Sequence, residues 1–231
     1  MERQPDLRRR AAAEALGAFA LVFAGCGAIV ANASYDGALG TVGIALVFGL
    51  VIMAMIYATG HLSGAHLNPS VTLAFSLTRH FPLRDALAYI PAQLAGATAA
   101  AAVLLALWPD KPAHLGATVP TVGGWQALLY ETVLTAFLMF VIMAVATDTR
   151  AVGASAAIAV GGVIGLNALF GGPVTGASMN TARSFGPALV ANEWHDFWVY
   201  VVGPLVGAMI GALAYQLVRG EHSRQPLGEE A

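Results

Sequence analysis

Apolar residues run along the chain in six stretches of about 20, the length that at 1.5 Å rise crosses a hydrocarbon core of about 30 Å. These predict spanning helices at approximately Ala11 to Val30, Gly40 to Thr59, Ala86 to Trp108, Trp125 to Ala146, Gly153 to Phe170 and Phe197 to Val218. Two further apolar segments, Asn68 to Leu77 and Asn180 to Val190, hold only about ten residues, about 15 Å of helix, and should enter a membrane without crossing it. The expected fold class is therefore an all-α membrane protein of six transmembrane helices and two re-entrant half-helices.

The two short segments occupy matching places in an internal repeat. Ala13 to Phe19 answers to Tyr130 to Ala136, Gly64 to Ser70 to Gly176 to Ala182, and Leu83 to Gly96 to Trp194 to Gly207. The chain reads as one transmembrane domain, 1–231, made of two copies, 1–115 and 116–231. An odd number of spans per copy turns the second copy upside down relative to the first, a plan in which broken helices meet at the midplane and line a path.

Charge sets the orientation, because cytoplasmic loops hold the excess of Lys and Arg. With the N-terminus inside, nine of the eleven lie on the cytoplasmic face: Arg3, Arg8, Arg9, Arg10, Arg79, Arg84, Arg150, Arg219 and Arg224. Lys111 is outside and Arg183 falls within the second short segment. Both termini are expected in the cytoplasm, and the basic start before an apolar run is read as a retained first span, not a cleaved signal.

Composition then removes whole classes of function. The residues are 58% hydrophobic and 10% charged, with a net charge of −2, which leaves no basic face for nucleic acid. The single cysteine, Cys26, can form neither an intrachain disulfide nor a Cys-based metal site. His61 and His66 flank the first short segment, but a metal needs three or four ligands, so they are read as hydrogen-bonded loop residues and no metal or other cofactor is expected. His80, His114, His195 and His222 are read as solvated. No nucleophile with a base is found, so an enzyme is not expected.

What remains is a path. Asn68 and Asn180 are good N-caps, and Pro69 suits a first helical position where its missing N–H has no partner to lose. Two positive helix ends then face each other and oppose cations, while the Asn amides donate to a passing oxygen and the preceding extended carbonyls accept. Glu14 and Glu131 are charged groups within spans and need a reason, either a hydrogen-bonded role or a place at span ends facing headgroups. Gly161, Gly162, Gly165, Gly203, Gly207 and Gly211 are read mainly as sites of close helix approach. Arg183, three after Asn180, is read as a pore arginine ahead of a snorkelling one.

The segments Gly60 to Thr72 and Gly176 to Ser184 resemble the paired Asn-Pro-Ala regions of the aquaporin, or major intrinsic protein, family, and the likeness runs from Glu14 to about Tyr215. The resemblance is to bacterial aquaglyceroporins and nodulin-26-like members. It implies a homotetramer with one pore per subunit, in a bacterial inner membrane. It makes Glu14 and Glu131 braces for the re-entrant loops, and it puts an outer filter at Phe48, Ala168, Ala177 and Arg183. Water-selective relatives usually place His where Ala168 stands, so the ring is expected to be wide, with Phe48 as one apolar wall. The implied solutes are water, small polyols such as glycerol, urea and neutral metalloid hydroxides such as arsenite. A water-selective channel and, further off, a secondary transporter are the alternatives. The motifs read Asn68-Pro69-Ser70 and Asn180-Thr181-Ala182. Thr181 in place of proline frees an N–H and relaxes φ, so Asn180 is expected to be less rigidly aimed than Asn68.

Overall fold

The computed structural model describes residues 5–147 and 155–219. Arg3, Arg150, Gly153, His222 and Arg224, invoked above, lie outside them. The described residues form eight α-helices: α1 Leu7–Ser34, α2 Gly40–Ser63, α3 Pro69–Leu77, α4 Leu83–Leu107, α5 Gly124–Thr147, α6 Ala156–Thr175, α7 Thr181–Ala191 and α8 Val199–Arg219. Six of them, all but α3 and α7, are long and apolar enough to cross a membrane. No strand occurs among the described residues.

Spans end where the chain meets a residue that stops a helix, not where hydropathy fades. α2 runs past the expected Thr59 to Ser63 and α6 past the expected Phe170 to Thr175, each closing on a left-handed glycine, Gly64 at φ 88° and Gly176 at φ 83°. Glycine takes that conformation without a Cβ penalty, which is why it caps both helices. Pro173 lies inside α6 without ending it.

The halves pack alike. α1 lies against α2 and α4 as α5 lies against α6 and α8, and each half-helix packs on the last long helix of the other half, α3 on α8 and α7 on α4. Glycines bring these helices close. A Cβ on Gly207 would collide with the carbonyl of Thr132, one on Gly211 with that of Ala136, and one on Gly161 would sit 2.6 Å from the carbonyl of Gly49. A Cβ on Gly203 would likewise sit 2.8 Å from that of Glu131, whereas one on Gly162 would meet nothing within 4 Å in this chain. The close approaches hold α5 to α8 and α2 to α6, so the loops preceding α3 and α7 are suspended between rigid walls.

Candidate functional site

Glu14 and Glu131 are both spent on those loops. Glu14 is fully buried, and its carboxyl oxygens accept from Ser63 Oγ at 2.7 Å, His66 N at 2.9 Å, Leu67 N at 2.6 Å and Gln93 Nε2 at 2.7 Å. Glu131, equally buried, accepts from Thr175 Oγ1 at 2.6 Å, Ser178 N at 2.9 Å and Met179 N at 2.8 Å. Neither faces headgroups. Backbone N–H groups inside a bilayer have no water to turn to, and each acid supplies the acceptors that its loop lacks.

These bonds hold an unusual backbone. The residues before each Asn are not extended, as the sequence suggests, but alternate through left-handed positions: Ala65 at φ 47° and Leu67 at 51°, then Ala177 at 42° and Met179 at 53°. Non-glycine residues there are strained by about 1–2 kcal/mol each, a cost the acid's hydrogen bonds offset. The twist turns alternate carbonyls sideways. As a result, Asn68 Nδ2 donates to Met179 O at 2.7 Å and Asn180 Nδ2 to Leu67 O at 2.8 Å, so each amide crosses to the other loop. Each cap is also closed locally, Asn68 Oδ1 accepting from Ser70 N at 2.9 Å and Asn180 Oδ1 from Ala182 N at 2.9 Å. An NH₂ has two hydrogens, so one per Asn remains for a solute. Asn68, Pro69 and Ser70 thus meet Asn180, Thr181 and Ala182 head to head.

A cavity of about 140 Å³ passes both Asn side chains and reaches Phe48, Ala168, Ala177 and Arg183. Its wall is mostly apolar, with Leu21, Ile52, Leu138 and Val160 among the side chains, and its polar groups are few: His66, Asn68, Ser178, Asn180 and Arg183. Arg183 is 2% exposed. Its Nη1 donates to Gly116 O at 2.8 Å, while Nε and Nη2 are buried with no partner among the described residues. The guanidinium carbon stands 5.1 Å from the centroid of the Phe48 ring, a cation–π distance. Phe48 and Arg183 therefore face each other in one contact on the cavity wall. Asn167, beside Ala168, is fixed by Nδ2 bonds to Leu134 O at 2.9 Å and Met179 Sδ at 3.1 Å.

Several contributors escape side-chain reading of the sequence. Gly116 ends a turn, Pro112–Gly116, in which Ala113, His114 and Leu115 are all left-handed, with φ of 47°, 49° and 56°. Leu115 is fully buried and anchors it, and His114 Nδ1 lies 3.3 Å from Glu193 Oε2, so this histidine is paired as well as solvated. Ser63, Thr175, Tyr89 and Tyr200 were legible in principle, because aligning the repeats matches them in pairs. Tyr89 OH donates to Ser63 O at 2.8 Å as Tyr200 OH donates to Thr175 O at 2.6 Å. His66 bonds Thr72 Oγ1 through Nδ1 at 3.2 Å and packs against Phe75, Phe81 and Tyr89. Among the described residues no group of His, Cys, Asp and Glu could hold a metal ion.

Two half-helices meeting nose to nose inside six apolar helices, beside a narrow cavity with one buried cation, define a membrane channel. A family model described as Major intrinsic protein matches residues 1–215, and the chain belongs to that family. It is 52% identical over 94% of its length to aquaporin NIP1-1 of Zea mays, covering 76% of that protein. It is 48% identical over 94% of its length to nodulin-26 of Glycine max, covering 79% of it. The aquaglyceroporin from Plasmodium falciparum superposes with a TM-score of 0.80 at 28% identity, over 91% of this chain and 96% of that one. The protein is thus an integral membrane protein, a passive channel for small uncharged solutes and not an enzyme. The bacterial inner membrane expected above draws no support from these plant relatives.

Proposed function

We propose that the channel conducts small polyols and neutral metalloid hydroxides such as arsenite together with water, through one pore in each subunit of a homotetramer built from inverted repeats 1–115 and 116–231. Phe48, Ala168, Ala177 and Arg183 are read as the selectivity ring, Asn68 and Asn180 as the midplane donors, and Glu14 and Glu131 as loop braces. The observation that carries the reading is Arg183: two buried nitrogens, Nε and Nη2, with no partner among the described residues, beside a cavity whose wall is mostly apolar. Buried donors of that kind are costly unless something bonds them, and a solute hydroxyl does so without bringing charge. The two alanines favour solutes larger than water, in keeping with the aquaglyceroporin and nodulin-26 among the proteins that the chain resembles. A transporter would need free midplane acids for coupling ions; here the carboxyls of Glu14 and Glu131 are engaged with the loops.

Stopped-flow light scattering on proteoliposomes, comparing entry of water, glycerol and arsenite, tests this reading. Entry of all three without an ion gradient is expected. Arg183→Ala should add a leak to small cations, because the fixed positive charge is gone. Water entry alone would restore the water-selective alternative.

The orientation is proposed with both termini cytoplasmic. An impermeant thiol reagent outside intact cells should label Asp110→Cys, in the exposed link between α4 and α5, and not Arg84→Cys at the exposed start of α4. The reverse pattern would invert the topology.

A further inference from the structure

The two positions at which the motifs depart from Asn-Pro-Ala, Ser70 and Thr181, lie against each other, with their hydroxyl oxygens 3.5 Å apart. Thr181 Oγ1 also donates to the carbonyl of Tyr200 at 3.0 Å. That carbonyl is special. Within α8 its helical partner would be the N–H of residue 204, and residue 204 is a proline with no N–H to give. Tyr200 is fully buried, so bulk water does not reach that carbonyl. The Thr181 hydroxyl therefore fills a vacancy that Pro204 creates.

Tyr200 consequently holds both ends of the second loop. Its OH takes the start, at Thr175 O, and its carbonyl takes the end, at Thr181 Oγ1. The first half is fastened differently. Pro69 fixes φ at the start of α3, and Gln93, which the repeat aligns with Pro204, donates through Nε2 to Thr72 Oγ1 at 3.0 Å, which in turn donates to Asn68 O at 2.9 Å. At the aligned positions the halves therefore differ twice, Pro69 against Thr181 at the half-helix start and Gln93 against Pro204 in the long helix, although α4 and α7 carry prolines of their own at Pro91 and Pro187.

We propose that Thr181 is a positioning residue for Asn180: its bond to the Tyr200 carbonyl, which Pro204 frees and Ser70 flanks, fixes the start of α7 as the pyrrolidine ring fixes that of α3. Asn180 is thus as firmly aimed as Asn68, contrary to what the loss of proline suggests. The inference rests on the channel reading above, and its test separates the two. Thr181→Val keeps the shape and removes the hydroxyl; Thr181→Ser restores it; Pro204→Ala gives the Tyr200 carbonyl a helical donor. In proteoliposomes Thr181→Val should shift the glycerol-to-water permeability ratio by about threefold or more, the scale of one lost hydrogen bond, and Thr181→Ser should return it to the native value. If Thr181 merely satisfied the carbonyl, adding Pro204→Ala to Thr181→Val would erase the shift; under the proposal the shift persists in the double variant, because the start of α7 still lacks its bond to α8. Hydrogen exchange by mass spectrometry gives a readout independent of flux: the peptide spanning residues 181–185 should exchange faster in Thr181→Val, alone or with Pro204→Ala, and at the native rate in Thr181→Ser. A native ratio and native exchange in Thr181→Val, a Thr181→Ser variant that behaves like it, or erasure by Pro204→Ala would each overturn the proposal. A native protein that passes no solute would overturn the channel reading instead, with the exchange measurement still judging the anchor.

Discussion

Glu131→Ala is expected to abolish the folded channel. The substitution strands the hydroxyl of Thr175 and the N–H groups of Ser178 and Met179 in the interior. Each stranded buried donor costs about 1–3 kcal/mol, so the total is of the order of the entire net stability of a typical domain, about 5–15 kcal/mol. The strained loop then has nothing to hold its left-handed residues. Glu14→Ala removes four bonds and not three, yet it should be the milder change. Gln93 stands beside Glu14 with its own Oε1 buried and unpartnered, and rotating that amide offers the first loop a replacement acceptor. Among the described residues no such unpartnered acceptor stands by the second loop, where Pro204 aligns with Gln93. Thermal unfolding of purified protein, followed by size-exclusion chromatography, measures both. Equal melting of Glu131→Ala and native protein would remove the brace role, and a lower melting point for Glu14→Ala than for Glu131→Ala would remove the part assigned to Gln93.

The second large effect concerns what passes. Ala168→His should reduce glycerol and arsenite entry about tenfold or more, equivalent to at least about 1.4 kcal/mol of added barrier, while water entry falls much less. Ala168 lines the cavity beside Phe48, Ala177 and Arg183, and an imidazole there occupies the space that a polyol needs. The helix cannot step back to make room, since Asn167 ties α6 to Leu134 O and Gly161 is already seated on the Gly49 carbonyl. Stopped-flow ratios of the three solutes decide the matter; unchanged ratios would place Ala168 outside the ring.

How far the sequence carried depended on whether a feature leaves a mark on side chains. Six spans and two short segments follow from the length of apolar runs alone, and their ends were misjudged at Thr59 and Phe170 because a helix is stopped by Gly64 and Gly176, not by a drop in hydropathy. Glu14 and Glu131 stand out because an acid in an apolar run asks for acceptor work, and the repeat doubles the signal. The crossing of Asn68 to Met179 O and of Asn180 to Leu67 O was invisible, for it depends on left-handed φ at Leu67 and Met179, residues with no turn preference. Gly116 left no mark either: what it contributes is a carbonyl, which every residue owns. Thr181 was noticed as a loss of proline, whereas its gain, the Tyr200 carbonyl, needed the spatial position of Pro204.

The turn at Pro112–Gly116 grips Arg183, the one buried cation among the described residues, through the Gly116 carbonyl. The segment that joins the halves is thus more than a tether: it holds a side chain that lines the cavity. Two units that pack and brace alike are made unequal by it: of the two half-helices only α7 carries an arginine, and the linker holds it. The halves are no longer interchangeable modules. Swapping their order would carry each half's internal contacts along with it and would still cut the strand of chain on which the arginine leans.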